Sequence, residues 1–177
     1  MPGEAMKILH VVGSLDRGGA ETWLTQMLRH IDRQVYSMDF LVHTTEPGAL
    51  DKEVMELGAR IVPCLPRLND GNPLQYARNF RRILRECGPY DCVHSHIHHS
   101  SGYVLMLAAM MGVPVRIAHS HNDTSAIDRT CPSLRRMYSS GMDMLIRRFA
   151  TLGIAVSRSA APSLFSPSWT ADKRWLL

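Results

Sequence analysis

Short apolar runs of strand length alternate with amphipathic helical stripes along almost the whole chain, and no other feature restricts the fold as much. Lys7–Val12 (KILHVV) is a β-branched run that stops at Gly13, as a buried strand does. After the loop GSLDRGG, Ala20–Ile31 sets Trp23, Leu24, Met27, Leu28 and Ile31 at helical spacing, one apolar stripe. Tyr36–Val42 reads as a second strand. A short helix over Ala49–Leu57 stops at Gly58, and a third strand, Arg60–Val62, stops at Pro63. Tyr76, Phe80, Ile83 and Leu84 mark a helix that reaches Cys87 and ends at Gly88-Pro89. Cys92-Val93-His94 is a brief strand, Gly102–Met111 a helix closed by Gly112, and Val115–Ala118 a fifth strand. Leu134, Met137, Tyr138, Met142, Leu145, Ile146 and Phe149 line one face of a long helix, and Gly153–Val156 follows as a sixth strand. Connections of a few residues between alternating elements predict an α/β fold: a Rossmann-like, doubly wound parallel sheet with helices on both faces.

The 177 residues are 45% apolar and 20% charged, which fits one globular domain spanning 1–177 and excludes disordered, collagen-like and coiled-coil classes. A chain of this length buries about 70% of the surface it exposes when unfolded, enough for one sizeable core. Its longest apolar stretch, Val104–Met111, falls short of the roughly 20 residues a membrane-spanning helix needs. The amino end is broken by glycine too early for a signal peptide, so a cytoplasmic location is expected. Cys64, Cys87, Cys92 and Cys131 show no metal-finger spacing and read as reduced thiols, some of them in the core. The methionines near 106–144 read as core filling. Residues 157–177 hold a short helical segment, Ser159–Phe165, and then the start of another strand, so they are expected to lead toward a further domain.

In a doubly wound fold the chemistry gathers at the carboxyl ends of strands, which here means Gly13–Glu21, His94–Ser101 and His119–Asp123. The first loop is neither a Walker A site, because Gly19-Ala20 stands where Lys-Ser/Thr is needed, nor a G-x-G-x-x-G fingerprint. It leaves Gly18-Gly19 opening a helix, either as a turn alone or as free amides and a positive dipole end for an anion. Six of the nine histidines fall within residues 94–121. His94 and His96 share one side of an extended chain, His98 continues their parity, and His119 and His121 repeat the pattern one strand later. Imidazoles so placed can hydrogen-bond sugar hydroxyls, pair with phosphate or move protons near neutral pH. Alternating histidines could also bind zinc. No Cys, Asp or Glu partner stands at ligand spacing, so no metal is expected. No G-x-S-x-G elbow or glycosidase carboxylate pair is evident.

The segments KILHVVGSLDRGGAET, YDCVHSHIHHSSGY, GVPVRIAHSHND and GIAVSRSAAPSLF, in this order and at these separations, resemble the amino-terminal half of retaining glycosyltransferases of the GT-B fold. The resemblance is to family 4 enzymes of capsular and cell-surface polysaccharide synthesis, and it covers nearly the whole chain from Met6. It implies an acceptor-binding domain, one half of a GT-B fold. The nucleotide-sugar would be held by a carboxy-terminal domain with a Glu–seven residues–Glu motif that this sequence lacks, so the chain alone is expected to be an inactive part of a hexosyltransferase. By resemblance, Gly18, Gly19 and Glu21 fall on the loop where donor phosphate and acceptor meet. His121 matches the catalytic-site histidine that ends the fifth strand and contacts the sugar or acceptor, with His119 as its register alternative. His94 and His96 match the H-x-H that closes the fourth strand. The implied partners are a glycan or lipid-linked acceptor and a nucleotide-sugar, with no metal, no further cofactor and no nucleic acid.

Two other readings stand beside this one. One is a non-catalytic module that binds a lipid-linked or phosphorylated sugar. The other is an unrelated Rossmann-like enzyme such as a nucleotide-sugar epimerase, whose G-x-x-G-x-x-G and Tyr-x-x-x-Lys are both missing. Charge adds a further expectation. Residues 1–115 carry 11 Lys/Arg against 12 Asp/Glu, and residues 116–177 carry 9 against 4. Arg135, Arg136, Arg147 and Arg148 flank the apolar stripe of the long helix, as in a helix lying on an anionic membrane or, equally, as the solvated face of a buried helix.

Overall fold

The computed structural model describes residues 5–70, 72–124 and 132–177. In chain order the elements are β1 (Met6–Val12), α1 (Gly19–His30), β2 (Tyr36–Val42), α2 (Asp51–Glu56), β3 (Ile61–Pro63), α3 (Pro73–Cys87), β4 (Cys92–Ser95), α4 (Ser101–Met110), β5 (Val115–Ser120), α5 (Ser133–Phe149), β6 (Leu152–Ala155) and β7 (Trp175–Leu176). The strands follow the order β3-β2-β1-β4-β5-β6-β7, and the pairs β1–β2, β2–β3, β5–β6 and β6–β7 are parallel. This is the parallel α/β arrangement that the alternation of elements predicts. The chain divides into two compact units, Met1–Val93 and His94–Leu177.

In the first unit, β1 and β2 pair over seven residues, from Met6 with Tyr36 to Val12 with Val42. Helices α1 and α2 cover them through Leu24, Leu28 and Val54, which pack on Val12, Met38, Phe40 and Val42. The expected α1 stripe is rotated at its edge: Trp23 is 41% exposed and Thr25 is buried in its place. Thr25 tolerates burial because its hydroxyl donates to the carbonyl of Glu21 at 2.9 Å. Helix α3 follows the predicted pattern closely, burying Tyr76, Phe80, Ile83 and Leu84. Its start is set by Asn72, whose side chain accepts from the Gln75 amide at 3.0 Å, and by Pro73 in the first turn.

A buried carboxylate ties the amino-terminal edge of this unit together. Asp39 in β2 accepts from Arg60 Nη2 at 2.6 Å and from the Tyr90 hydroxyl at 2.8 Å, and Lys7 Nζ lies 3.9 Å away. Burial alone would raise the Asp39 carboxyl, but the Arg60 and Tyr90 hydrogen bonds outweigh it and hold the group below the usual carboxylate range. Cys64 and Cys92 are buried free thiols pushed up to about 12 by burial, so they are inert. Cys87 is free and half-buried, and Cys131 lies outside the described residues.

In the second unit, β5 pairs with β6 from Ile117–Leu152 to Ser120–Ala155, and β7 adds a further strand beside β6. The last residues therefore complete a strand of this sheet, as their pattern suggested. Ser159–Phe165 forms turns rather than a helix, and it buries Ala160, Ala161, Leu164 and Phe165. Phe165 stacks on Trp175 with ring centroids 4.7 Å apart. Helix α4 buries Val104, Leu105, Leu107 and Ala108. It meets α5 at Gly102, where an added Cβ would collide with the Met142 carbonyl, so glycine alone permits this close approach.

Two packing expectations fail in this unit. Only Ser139 and Ile146 of α5 are fully buried, while Leu134 and Met137 are 73% and 68% exposed. The apolar stripe therefore packs only in its second half. The methionines are not core filling either: Met110, Met137 and Met144 are exposed and Met106, Met111 and Met142 only half-buried. A helical period shows that residues share a face. It does not show that a neighbour covers that face along its full length.

Replacing Asp39 with Ala leaves the Tyr90 hydroxyl and the Arg60 fork without their acceptor, and should lower stability by about 2–4 kcal/mol in urea unfolding. One source of pH dependence in this unit is separate. His43 is buried, with Nε2 3.0 Å from the Tyr76 hydroxyl, and burial followed by the Arg67 charge pushes it down to about 4 from 6.5. The unfolded chain therefore takes up this proton first. Its contribution is fully present above pH 6.5 and is lost as pH falls from 6.5 through about 4. Thermal midpoints taken from pH 7.5 to 4 should drop less steeply in His43→Gln than in the wild type.

Candidate functional site

The glycine loop belongs to the first unit. Gly18 is the extended N-cap residue of α1, with no side-chain cap bond, and its carbonyl accepts from the Thr22 amide at 3.0 Å. Nothing lies within 4 Å of where a Gly19 Cβ would be, so the backbone is open there. Gly18 differs, because its missing Cβ leaves the space taken by the Glu21 carboxylate, which folds back over the helix start. The chain thus sets its own negative group at the positive end of α1. The loop is fastened by Leu15 and Asp16. Leu15 is buried and its carbonyl accepts from the Leu50 amide at 2.9 Å, while Asp16 accepts from the Ser14 hydroxyl at 2.9 Å. Neither residue stood out in the sequence, where a lone Leu-Asp inside a loop carries no pattern.

The histidines belong to the second unit, and their arrangement follows from strand geometry. Residues two apart share one face of a strand, and neighbouring strands stand about 4.8 Å apart. Two H-x-H segments at the ends of the adjacent strands β4 and β5, in matching register, form a two-by-two block of rings. The centroids of His94 and His96 lie 4.2 Å apart, and those of His119 and His121 4.0 Å. Across the strands, His94 and His119 are stacked at 5.2 Å, and His96 and His121 lie at 5.1 Å. Ring nitrogens meet as well: His94 Nε2 and His119 Nδ1 at 3.2 Å, His96 Nδ1 and His121 Nε2 at 2.8 Å. His94 and His119 are buried, and His96 and His121 half-buried at the outer end.

His98 does not join the block, although its parity matches. The backbone leaves the strand after Ser95, His98 takes a positive φ of 53° in a short 3-10 turn, and its Nε2 lies 3.3 Å from Thr124 Oγ1. Neighbouring His99 instead pairs with Asp143 of α5 at 2.6 Å. The strand ends are braced by hydroxyls: Ser95 Oγ donates to Ser101 Oγ at 2.9 Å, and Ser120 Oγ to the Ala160 carbonyl at 2.7 Å. These serines and Asp143 gave no sequence signal, because each meets its partner only through the tertiary fold.

Electrostatics decides what the block can do. Burial, followed by the neighbouring His121, pushes His119 down to about 4, and burial pushes His121 down as well. These two rings are therefore neutral at pH 7, and each ring-to-ring hydrogen bond joins one N–H to one lone pair. Neutral rings suit hydroxyl hydrogen bonding or a lone-pair donor role better than charge pairing with phosphate. One ring nitrogen from each of His96, His119 and His121 lies within 4.8 Å of the other two.

A model of the family described as Glycosyltransferase Family 4 matches residues 17–166. The chain is 38% identical over 122 residues to a Bacillus subtilis (strain 168) protein named as the glycosyltransferase EpsF, covering 69% of this chain and 32% of that one. It is 24% identical over 161 residues to the capsular polysaccharide biosynthesis glycosyltransferase CapH of Staphylococcus aureus, covering 91% of this chain and 43% of that one. Its fold matches the crystal structure of Anabaena HepE in complex with UDP and glucose, with a TM-score of 0.69 at 19% identity over 97% of this chain and 44% of that one. The chain thus spans less than half the length of the curated relatives it matches.

Proposed function

The chain belongs to glycosyltransferase family 4, and from that premise we propose that it supplies the acceptor-binding half of a retaining hexosyltransferase of the GT-B fold. The enzyme transfers a sugar from a nucleotide-sugar to a glycan or lipid-linked acceptor in cell-surface or capsular polysaccharide synthesis. EpsF and CapH support that assignment, being matched relatives named as glycosyltransferases. The observation that carries the reading is the histidine block at the carboxyl ends of β4 and β5, half-open at His96 and His121. His121 hydrogen-bonds the acceptor or the transferring sugar as the catalytic-site histidine. His94, His96 and His119 hold its ring in orientation, and Gly18, Gly19 and Glu21 of the first unit take the donor-phosphate role that the family resemblance gives their loop. Glu21 swings off the α1 terminus when a phosphate arrives, since only its flexible end occupies that space.

The acceptor hydroxyl attacks the anomeric carbon as the bond to the nucleotide diphosphate breaks, and the departing phosphate takes the acceptor proton; no metal or further cofactor is assigned a part in this reading. Orienting the anomeric carbon and excluding water call for a donor-binding half to close on this one. In the enzyme assayed with its nucleotide-sugar, His121→Ala should lower transfer at least about 100-fold while moving the thermal midpoint little, because His121 is half-exposed and lies past the end of β5. Undiminished transfer, or a matching loss of stability, would reject the role.

The enzyme works in the cytoplasm against an anionic membrane, where a lipid-linked acceptor resides. The exposed Leu134 and Met137 beside the exposed Arg135 and Arg136 supply an apolar strip flanked by cations. Changing Arg135, Arg136, Arg147 and Arg148 to Gln should release the protein from phosphatidylglycerol vesicles in sedimentation. Unchanged sedimentation would remove the membrane contact from this reading.

A further inference from the structure

Three imidazoles with converging nitrogens can do more than bind hydroxyls. His96, His119 and His121 each offer one ring nitrogen, all within 4.8 Å of one another, and no carboxylate takes part in this set. We propose that these three histidines form a binding site for a borderline transition-metal cation of the zinc class. Imidazole-only donor sets suit zinc, cobalt, nickel or copper, whereas magnesium and calcium demand oxygen ligands.

Closing on such an ion requires the three nitrogens, now within 4.8 Å of one another, to draw together. Zinc–nitrogen bonds of about 2.0–2.1 Å in a tetrahedron place ligand nitrogens about 3.3 Å apart. His96 Nδ1 and His121 Nε2 already stand 2.8 Å apart, so this pair opens slightly and the donating ring takes the tautomer with its N–H on the other nitrogen, which leaves a lone pair on both facing nitrogens. His119 is the fixed member: it is buried in β5, with Nδ1 3.2 Å from His94 Nε2. When that Nδ1 donates to His94, the lone pair of His119 lies on Nε2, and His94 acts as the outer partner that orients a ligating ring. His121 is the adjustable member, because it follows the last residue of β5 and is half-exposed. The half-open His96 and His121 leave an entry path and a fourth position for water.

Metal binding stands independently of sugar transfer, but one consequence rests on the function proposed above. A ring that donates its lone pair to a metal cannot hold the acceptor, so occupancy of this site inhibits transfer.

Zinc and cobalt titrations of the purified full chain test the site. One equivalent of Co²⁺ should bind with a visible absorption band of tetrahedral type, and Zn²⁺ should displace it. Zn²⁺ at about 100-fold its Kd should raise the thermal midpoint by about 5–10 °C, and Mg²⁺ should not. His96→Gln and His121→Gln should each lose the band and weaken binding about 100-fold, whereas His30→Gln, an exposed position on α1, should bind as the wild type does. A wild-type chain with no cobalt band and no zinc shift overturns the site, as does a band that survives in both folded variants. If zinc binds but His121→Ala leaves transfer intact, the function reading falls and the metal site stands. If His121→Ala loses transfer but the wild type binds no zinc, the metal site falls and the function reading stands.

Discussion

The first unit is organised around one buried carboxylate. Asp39 lies in the middle of the chain's β1–β2 ladder region, facing Leu9 in register, yet its charge is matched by groups drawn from three other segments. Arg60 approaches from just before β3, Tyr90 from just before β4, and Lys7 from the start of β1. Lys7 Nζ and Arg60 Nη2 also reach the Cys87 carbonyl at the end of α3, at 2.5 and 2.8 Å. An ionised group taken out of water must find such partners, and the partners in turn become fixed in place. The start of three strands and the end of one helix are thereby set by a single acceptor.

The proposed site draws on other segments of the chain. Asp39 and its partners tie together segments of the first unit, whereas the glycines follow β1, His94 and His119 lie in the last residues of β4 and β5, and His96 and His121 come just after them. A rigid end and an adaptable end serve different needs. The charged clamp trades conformational freedom for fixed geometry. The histidine block is held by ring-to-ring contacts and hydroxyl bonds, and in the proposed site these let its outer pair adjust around a hydroxyl or an ion.

Element type and order were legible from periodicity to within a residue or two. Tyr36–Val42 and the buried face Tyr76, Phe80, Ile83 and Leu84 agree with their expected positions. Where periodicity misled, a neighbour was the reason. Trp23 lies at helical spacing but outside the strip that the sheet covers, and the first turns of α5 extend past the packing that begins near Met142. Ser159–Phe165 has helical periodicity, but Ala160 and Ser163 bond into turns that brace Ser120 and Asn122 instead. Methionine content likewise said nothing about which side chains would be covered.

The candidate site divides along the same line. Two H-x-H segments at successive strand ends were visible in the sequence, because a period of two places alternate residues on one face whatever the rest of the chain does. That His94 would stack on His119 and His96 meet His121 depended on which strands became neighbours and in what register. That choice belongs to the sheet. The neutrality of His119 and His121 at pH 7 depended on burial, and the departure of His98 from the block depended on a turn that only the packed chain imposes. Local spacing therefore determined which rings were available. Tertiary structure decided which of them meet, because proximity across strands and the loss of water are created only when the chain packs on itself.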